Sequence, residues 1–171
     1  MIFETDRLYV RPLEEKDEMF FFELMGNPNV MNLIPQKSLN KEESMLQLKE
    51  LILLEKTSDT KIWCLCEKGN NDLIGISGLL KNNEKQDEIA YRLIERYWGN
   101  GYGTEIAKGL IDYCFNNLKS DLVSADVFVE NTRSLKILDK FFHVEKEFFN
   151  AEDNCMDRRY VLRKEDWHVG K

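Results

Sequence analysis

Residues 94–110 read IERYWGNGYGTEIAKGL, and three glycines at alternate positions, Gly99, Gly101 and Gly103, run straight into an apolar-periodic segment. Glycine inside an ordered element costs roughly 0.5–1 kcal/mol against alanine, so this density needs a reason. The preceding DEIAYRLI alternates as a strand does. After the glycines, Ile106, Leu110, Cys114 and Leu118 form an i,i+4 row with Ala107 and Ile111 beside it, the spacing of an amphipathic helix. A strand that enters a glycine-rich turn and then a helix presents unpaired first-turn amides and a positive dipole end to an anion, and missing Cβ atoms let a phosphate approach.

Phosphate-binding turns come in several designs. A Walker loop closes on Gly-Lys-Ser/Thr, whereas this turn closes on Gly103-Thr104-Glu105 without the lysine. The dinucleotide pattern GxGxxG places its third glycine at Thr104 or at Ile106, according to register, and so fails in both. Asp126 keeps a nucleotide-binding protein open as a rival, because a ribose-binding acid belongs about 20 residues on. A plain strand-to-helix turn accounts for one glycine and poorly for three.

Outward from the turn, the order reads β, two helices, three strands, helix, strand, helix, two strands. RLYVRPL alternates as a strand; EEKDEMFFFELM reads as a helix that Gly26 caps in the left-handed conformation and Pro28 stops; VMNLIP reads as an apolar loop. Asn40 with Glu43 three residues on makes a capping box for the second helix, which carries Met45, Leu48 and Ile52. TKIWCLCEK, DLIGISGLLK and DEIAYRLI, joined by GNND and KNNEKQ, predict an antiparallel meander. LVSADVFV, NTRSLKILDKFF, EKEFFN and RRYVLR complete the strand, helix and two strands of the C-terminal part.

A length of 171 residues without a Pro/Gly/Ser-rich linker predicts one domain over 1–171, and 43% hydrophobic residues can fill its core. A net charge of −7 argues against a nucleic-acid partner and tolerates a basic or amine-bearing one. The acidic N-terminus has no apolar leader, and no run reaches the ~18 apolar residues of a span, so a cytoplasmic protein without membrane contact is expected. Cys64, Cys66, Cys114 and Cys155 lack CxxC spacing and the two histidines cannot complete a ligand set, which predicts buried free thiols and no metal.

Taken together, TDRLYVRPLEEKD, GNPNVM, LIGISGL, DEIAYRLIERYWGNGYGTE and NTRSLKILDK resemble the GNAT superfamily of acetyl-CoA-dependent N-acetyltransferases over nearly the whole chain, most closely the branch typified by the ribosomal-protein alanine acetyltransferases RimJ and RimL. The resemblance implies an α/β (α+β) acyl-CoA N-acyltransferase fold: a mixed sheet of about seven strands splayed at the cofactor site, with about four flanking helices. It implies that Trp98, Gly99, Asn100, Gly101, Tyr102, Gly103 and Thr104 hold the acetyl-CoA pyrophosphate, that the pantetheine arm pairs near Leu93 and Ile94, and that Asn131 and Ser134 border the thioester. The reaction implied is direct attack of a neutral amine, with a protein or peptide N-terminal α-amine as the acceptor. A small-molecule amine, or a non-catalytic acyl-CoA-binding module, is the alternative.

An α-amine with pKa about 7.7 to 8.0 tolerates a weak base, whereas lysine near 10.4 does not. Glu88, at the start of the strand and on the opposite face from Ile89, Tyr91 and Leu93, is the candidate base or ammonium ligand; the alternative is a solvated strand-end carboxylate. Arg92 on the same face reads as an ion-pair partner, Glu105 as a helix-start acid, Trp98 as a packing residue and His143 as structural. Many family members carry Asn-x-x-Ala-x-x-Leu-Tyr, whose tyrosine protonates the departing thiolate; aligned on Asn131, that position is Leu138, and Ser134 one turn earlier is the candidate donor. The alternative reads Asn131 as a helix cap and Ser134 as a first-turn residue bonded to its own backbone. The chain also has Lys140-Phe141-Phe142-His143 where the family has a helix-ending Lys-Leu-Gly-Phe, which leaves the following path open.

Overall fold

A computed structural model describes residues 1–168. The strands are β1 (Phe3–Glu4), β2 (Leu8–Pro12), β3 (Lys61–Glu67), β4 (Gly75–Lys81), β5 (Asp87–Leu93), β6 (Leu122–Phe128), β7 (His143–Asn150) and β8 (Cys155–Arg163). They form one sheet in the order β1-β2-β3-β4-β5-β6-β8-β7, in which only the β5–β6 pair is parallel. The helices are α1 (Glu18–Met25), α2 (Pro28–Met31), α3 (Lys41–Thr57), α4 (Tyr102–Asn116) and α5 (Thr132–Leu138). The mixed α/β sheet expected from the resemblance is present, with eight strands and five α-helices among the described residues against about seven and about four.

The additional elements have local causes. α2 occupies part of the stretch expected to be loop: the Asn27 side chain accepts from the Asn29 N–H at 2.9 Å and Pro28 takes the first position of the turn. Gly26 lies at φ −89° rather than in the left-handed cap. It is needed for space, since a Cβ there would come within 2.9 Å of the Phe22 carbonyl oxygen. Asn40 and Glu43 form their reciprocal capping box at the start of α3. Leu118 does not join the buried row of α4, which ends at Asn116, and is 46% exposed.

One sheet face packs against α4 and α5 through Ile106, Leu110, Ile111, Cys114 and Leu138, and the other against α1 to α3 through Phe21, Leu24, Met25, Met31 and Leu48. Each such side chain contributes about 1.5–3 kcal/mol by leaving water, so the helices are firmly seated on both faces. All four cysteines are free and buried. Among the described residues no helix is long and apolar enough to cross a membrane.

The feature that creates a site is the short β5–β6 pairing. It comprises Asp87 with Val123 and Glu88 with Ser124, and is pinned there by Ser124 Oγ donating to the Asp87 carbonyl at 3.1 Å and Asn82 Nδ2 donating to Ser124 Oγ at 3.0 Å. Beyond Glu88 the two strands part. Lys140-Phe141-Phe142 then turns after α5 without a left-handed residue: Phe142 is buried in a T-shaped contact with Tyr160 at 6.4 Å, and Phe141 meets Trp167 at 5.7 Å. Aromatic burial directs the path that a glycine would otherwise allow. His143 is exposed at the start of β7.

Candidate active site

The glycines of the turn serve two purposes. Gly99 at φ +78° and Gly101 at φ +80° occupy the left-handed region that side-chain-bearing residues rarely adopt. Gly103 is helical, and a Cβ on it would meet Ile137 Cδ1 of α5 at 2.8 Å. Among the described residues, the backbone N–H groups from Gly99 to Thr104 donate no hydrogen bond; the first helical bond of α4 runs from the Glu105 N–H to the Gly101 carbonyl. That run of unpaired amides at a helix N-terminus is a ready anion cradle.

The turn is braced from outside. The Arg7 guanidinium donates to the Asn100 carbonyl at 3.0 Å and to Glu105 at 2.7 Å, and lies 4.6 Å from the Tyr102 ring centroid. Glu105 also accepts from Thr5 Oγ1 at 2.6 Å, so this helix-start acid ties α4 to the β1–β2 turn. Trp98 Nε1 donates to the Leu93 carbonyl at 3.0 Å, and the Arg133 guanidinium sits 4.5 Å above the indole. A cavity of about 660 Å³ lies between this turn and α5, lined by Leu93, Trp98, Gly99, Gly101, Tyr102, Gly103, Thr104 and by Arg133, Lys136 and Ile137.

A second cavity of about 620 Å³ opens on the other side of the parted strands, with Glu88, Asp126, Asp157 and Arg159 in its wall. Leu33, Ile34, Tyr91, Arg92, Asn131 and Ser134 line both cavities. The two chambers therefore meet where β5 leaves β6.

Burial pushes the Glu88 carboxyl up to about 7, and the nearby Asp126 carboxylate adds to the effect while Arg159 opposes it. Glu88 is half-buried in the wall of that chamber. Asp126 accepts from Nε and Nη2 of buried Arg159, each at 2.8 Å, which engages the carboxylate that a ribose would have required.

Arg92, read from sequence as an ion-pair partner, has none among the described residues. Its Nη1 donates instead toward Met25 Sδ at 3.1 Å and Met31 Sδ at 3.5 Å. The reason is topological: its face of β5 looks onto the methionines of α1 and α2. The Tyr91 hydroxyl is buried without a hydrogen bond of good geometry; burial raises its pKa and the neighbouring Ser134 hydroxyl lowers it. The Asn131 side chain accepts from the Ser134 N–H at 3.3 Å, so the capping role is present. The Ser134 hydroxyl makes no backbone bond among the described residues, and the residue lines both cavities.

The structure thus gathers most of the sequence candidates around the two chambers, with two set apart. Ile94 turns its N–H to the Ile74 carbonyl at 2.9 Å and is buried on the α1–α3 side. Alternation then directs the main-chain groups of Tyr91 and Leu93 toward the gap. Asn100 points its side chain back to the Tyr97 carbonyl at 3.1 Å and braces the turn from behind. Sequence reading missed Tyr91, Arg92, Arg133 and Lys136. The last two were within reach, because i,i+3 spacing on α5 puts them on one stripe beside the glycine turn.

The Acetyltransferase (GNAT) domain family matches residues 7–141. An uncharacterized N-acetyltransferase p20 of Bacillus licheniformis is 30% identical over 139 residues, 78% of this chain and 77% of that protein. Two solved structures share the fold. RimL, a ribosomal L7/L12 alpha-N-protein acetyltransferase in complex with coenzyme A, has a TM-score of 0.77 at 18% identity and covers 95% of this chain and 97% of that one. A spermidine N-acetyltransferase from Vibrio cholerae, in complex with CoA and spermine, has a TM-score of 0.77 at 22% identity over 93% of this chain and 96% of that one.

Proposed function

The chain belongs to the GNAT acetyltransferase family and is an N-acetyltransferase, and from that premise we propose that it moves the acetyl group of acetyl-CoA to an α-amine, that of a protein or peptide N-terminus, by direct attack in a ternary complex. The choice of acceptor rests on Glu88, a carboxyl in the wall of the chamber opposite the glycine turn that burial pushes up to about 7. A base is matched to its task when its pKa lies near the working pH. An α-ammonium at about 7.7 to 8.0 lies within roughly one unit of Glu88, while an ε-ammonium or polyamine nitrogen near 10.4 lies more than three units away.

The residues present fit the cosubstrate. The unpaired amides from Gly99 to Thr104 suit a pyrophosphate, and Arg133 and Lys136 supply cations beside it in an otherwise acidic protein. The open edge of β5 at Tyr91 and Leu93 can pair with an amide-bearing arm as an added strand does. Acetyl-CoA supplies the activated acyl group and the thiolate leaving group. The protein's part is to align the amine, remove its proton at Glu88 directly or through water, and return one to sulfur from Ser134. Of the two solved structures, RimL is named for the α-N-protein chemistry proposed here, and the spermidine enzyme represents the alternative.

Two measurements test this reading. In a thiol-release assay near pH 7, peptides with N-terminal alanine or serine should exceed free lysine and spermidine in kcat/KM by several-fold; a large preference for spermidine would overturn the α-amine assignment. Wild-type kcat/KM for a peptide should rise with pH through about 7, as Glu88 loses its proton. Glu88→Gln should lower kcat/KM about fivefold at pH 7.5 and remove that inflection. An unchanged profile in the variant would remove Glu88 from proton transfer.

The same shift carries a stability consequence. The folded-state pKa lies above the unfolded value, so the folded protein binds more protons between about pH 4.5 and 7 and the Glu88 contribution to stability falls as pH rises through that window. In Glu88→Gln that component of the pH dependence disappears from thermal melts.

A further inference from the structure

Arg92 is a cation that the proposed reaction leaves without work. Protein surrounds it on most sides, yet its donors meet only the sulfurs of Met25 and Met31, which are weak acceptors, and no carboxylate or carbonyl among the described residues receives it. Burial lowers its pKa to about 10, which still leaves it charged at neutral pH. The carboxylate with the largest influence on it, Asp153 in the β7–β8 turn, forms no ion pair with it and accepts instead from Gln36 Nε2 and Asn150 Nδ2, each at 3.2 Å. Holding a guanidinium half-buried without a counter-charge has a cost, and methionine or leucine would pack against Met25 and Met31 without it.

Position gives the cation a purpose. Arg92 lines both chambers at their junction, together with Leu33 and Ile34 from the segment after α2. It shares its strand face with Glu88, four residues earlier, and at about 3.3 Å per residue the two backbone positions lie roughly 13 Å apart along β5. Two long side chains can converge from that separation on the two ends of one small acceptor. Most other charges of the acceptor chamber are engaged, Arg159 with Asp126, Lys81 with Asp87, and Asp157 with Asn150 Nδ2 at 2.9 Å, while Glu152 is exposed in its wall.

Resting on the α-amine reading above, we propose that Arg92 receives a carboxylate carried by the acceptor, so that the preferred substrate bears an α-amine together with an acidic group. The guanidinium fork pairs with a carboxylate through two parallel hydrogen bonds. The same cation disfavours acceptors with several positive charges. The carboxylate has two possible sources, the C-terminus of an amino acid or dipeptide, or an acidic side chain next to a peptide N-terminus.

Matched pairs test it. Alanyl-alanine is compared with its amide, and an octapeptide amide beginning Ala-Asp with one beginning Ala-Asn, by thiol release; calorimetric binding of the corresponding N-acetylated products to CoA-loaded protein gives the same comparison without turnover. Wild-type protein should favour the acid by about tenfold in at least one pair, and which pair responds identifies the source. Arg92→Met should bring that acid-to-amide ratio to about one and Arg92→Lys should restore part of it. A ratio also cancels any loss of folded protein. Equal handling of acid and amide by wild-type, or a preference that survives in Arg92→Met, overturns the carboxylate assignment. A preference seen in binding without turnover of any amine would support the assignment and overturn the proposed function instead.

Discussion

Gly101→Glu should abolish coenzyme A binding in a protein that remains folded. At φ +80° the new side chain costs about 1–2 kcal/mol of backbone strain, a tolerable fraction of a domain's stability of roughly 5–15 kcal/mol. The nearest atom to its Cβ is an Arg7 guanidinium nitrogen at 3.4 Å, an ordinary contact distance, so packing does not forbid it. Its carboxylate, however, stands among the free amides from Gly99 to Thr104. At about 4 Å in an effective dielectric near 20, each like-charge contact with a pyrophosphate oxygen costs about 4 kcal/mol, several hundredfold in affinity or more. Calorimetry should show the dissociation constant for CoA raised at least ~100-fold. Gly101→Asn is the control, because asparagine tolerates the left-handed region and carries no charge; it should lose only a few-fold. Unchanged affinity in folded Gly101→Glu would remove the pyrophosphate from the turn.

The glycine stretch was legible because most of its cause is local. Two of its glycines answer a backbone angle and the third a neighbouring helix, and alternation before the turn and i,i+4 spacing after it frame both. The Asn40–Glu43 capping box and the meander were legible for the same reason, each resting on residues a few positions apart. What escaped depended on partners distant in sequence. α2 was hidden because a single turn has no periodicity to detect, and Leu118 was assigned to a helix that ends before it. Arg92 shows the limit most plainly. Alternation puts it on the face of Glu88, but whether that face meets a carboxylate or two methionine sulfurs depends on α1 and α2, more than 60 residues earlier in the chain.

Tyr91 escaped for a related reason, and bears on the other large effect. The interval from Asn131 to Ser134 is visible in sequence, and the structure puts a second, unbonded hydroxyl beside Ser134 of α5 from strand β5. No alternation rule could announce that pairing, because it exists only where β5 and β6 part.

Ser134→Ala should therefore lower kcat roughly 10- to 100-fold, with the acetyl-CoA dissociation constant little changed. The departing thiolate needs a proton, and on the family resemblance Leu138 occupies the position of the tyrosine that many members carry for that purpose. Ser134 faces the junction of the two chambers with its hydroxyl free of the backbone, while its N–H serves the Asn131 cap. Alanine keeps that N–H, so the cap survives and the substitution isolates the hydroxyl. Serine is a poor acid, which sets the expected loss below the 10²–10⁴ typical of a general acid. The Tyr91 hydroxyl is held protonated by burial and can support Ser134 by donating to it as the proton leaves for sulfur. If the two hydroxyls act as one path, Tyr91→Phe should lower kcat by a smaller factor, and the double variant should be little worse than Ser134→Ala alone, since groups acting as a unit are not additive. The assay must first be shown to be limited by chemistry, by a kcat insensitive to solvent viscosity in the wild-type protein. Intact kcat in Ser134→Ala under that condition would return the residue to its cap and leave water as the proton donor; fully multiplicative losses in the double variant would separate Tyr91 from the path.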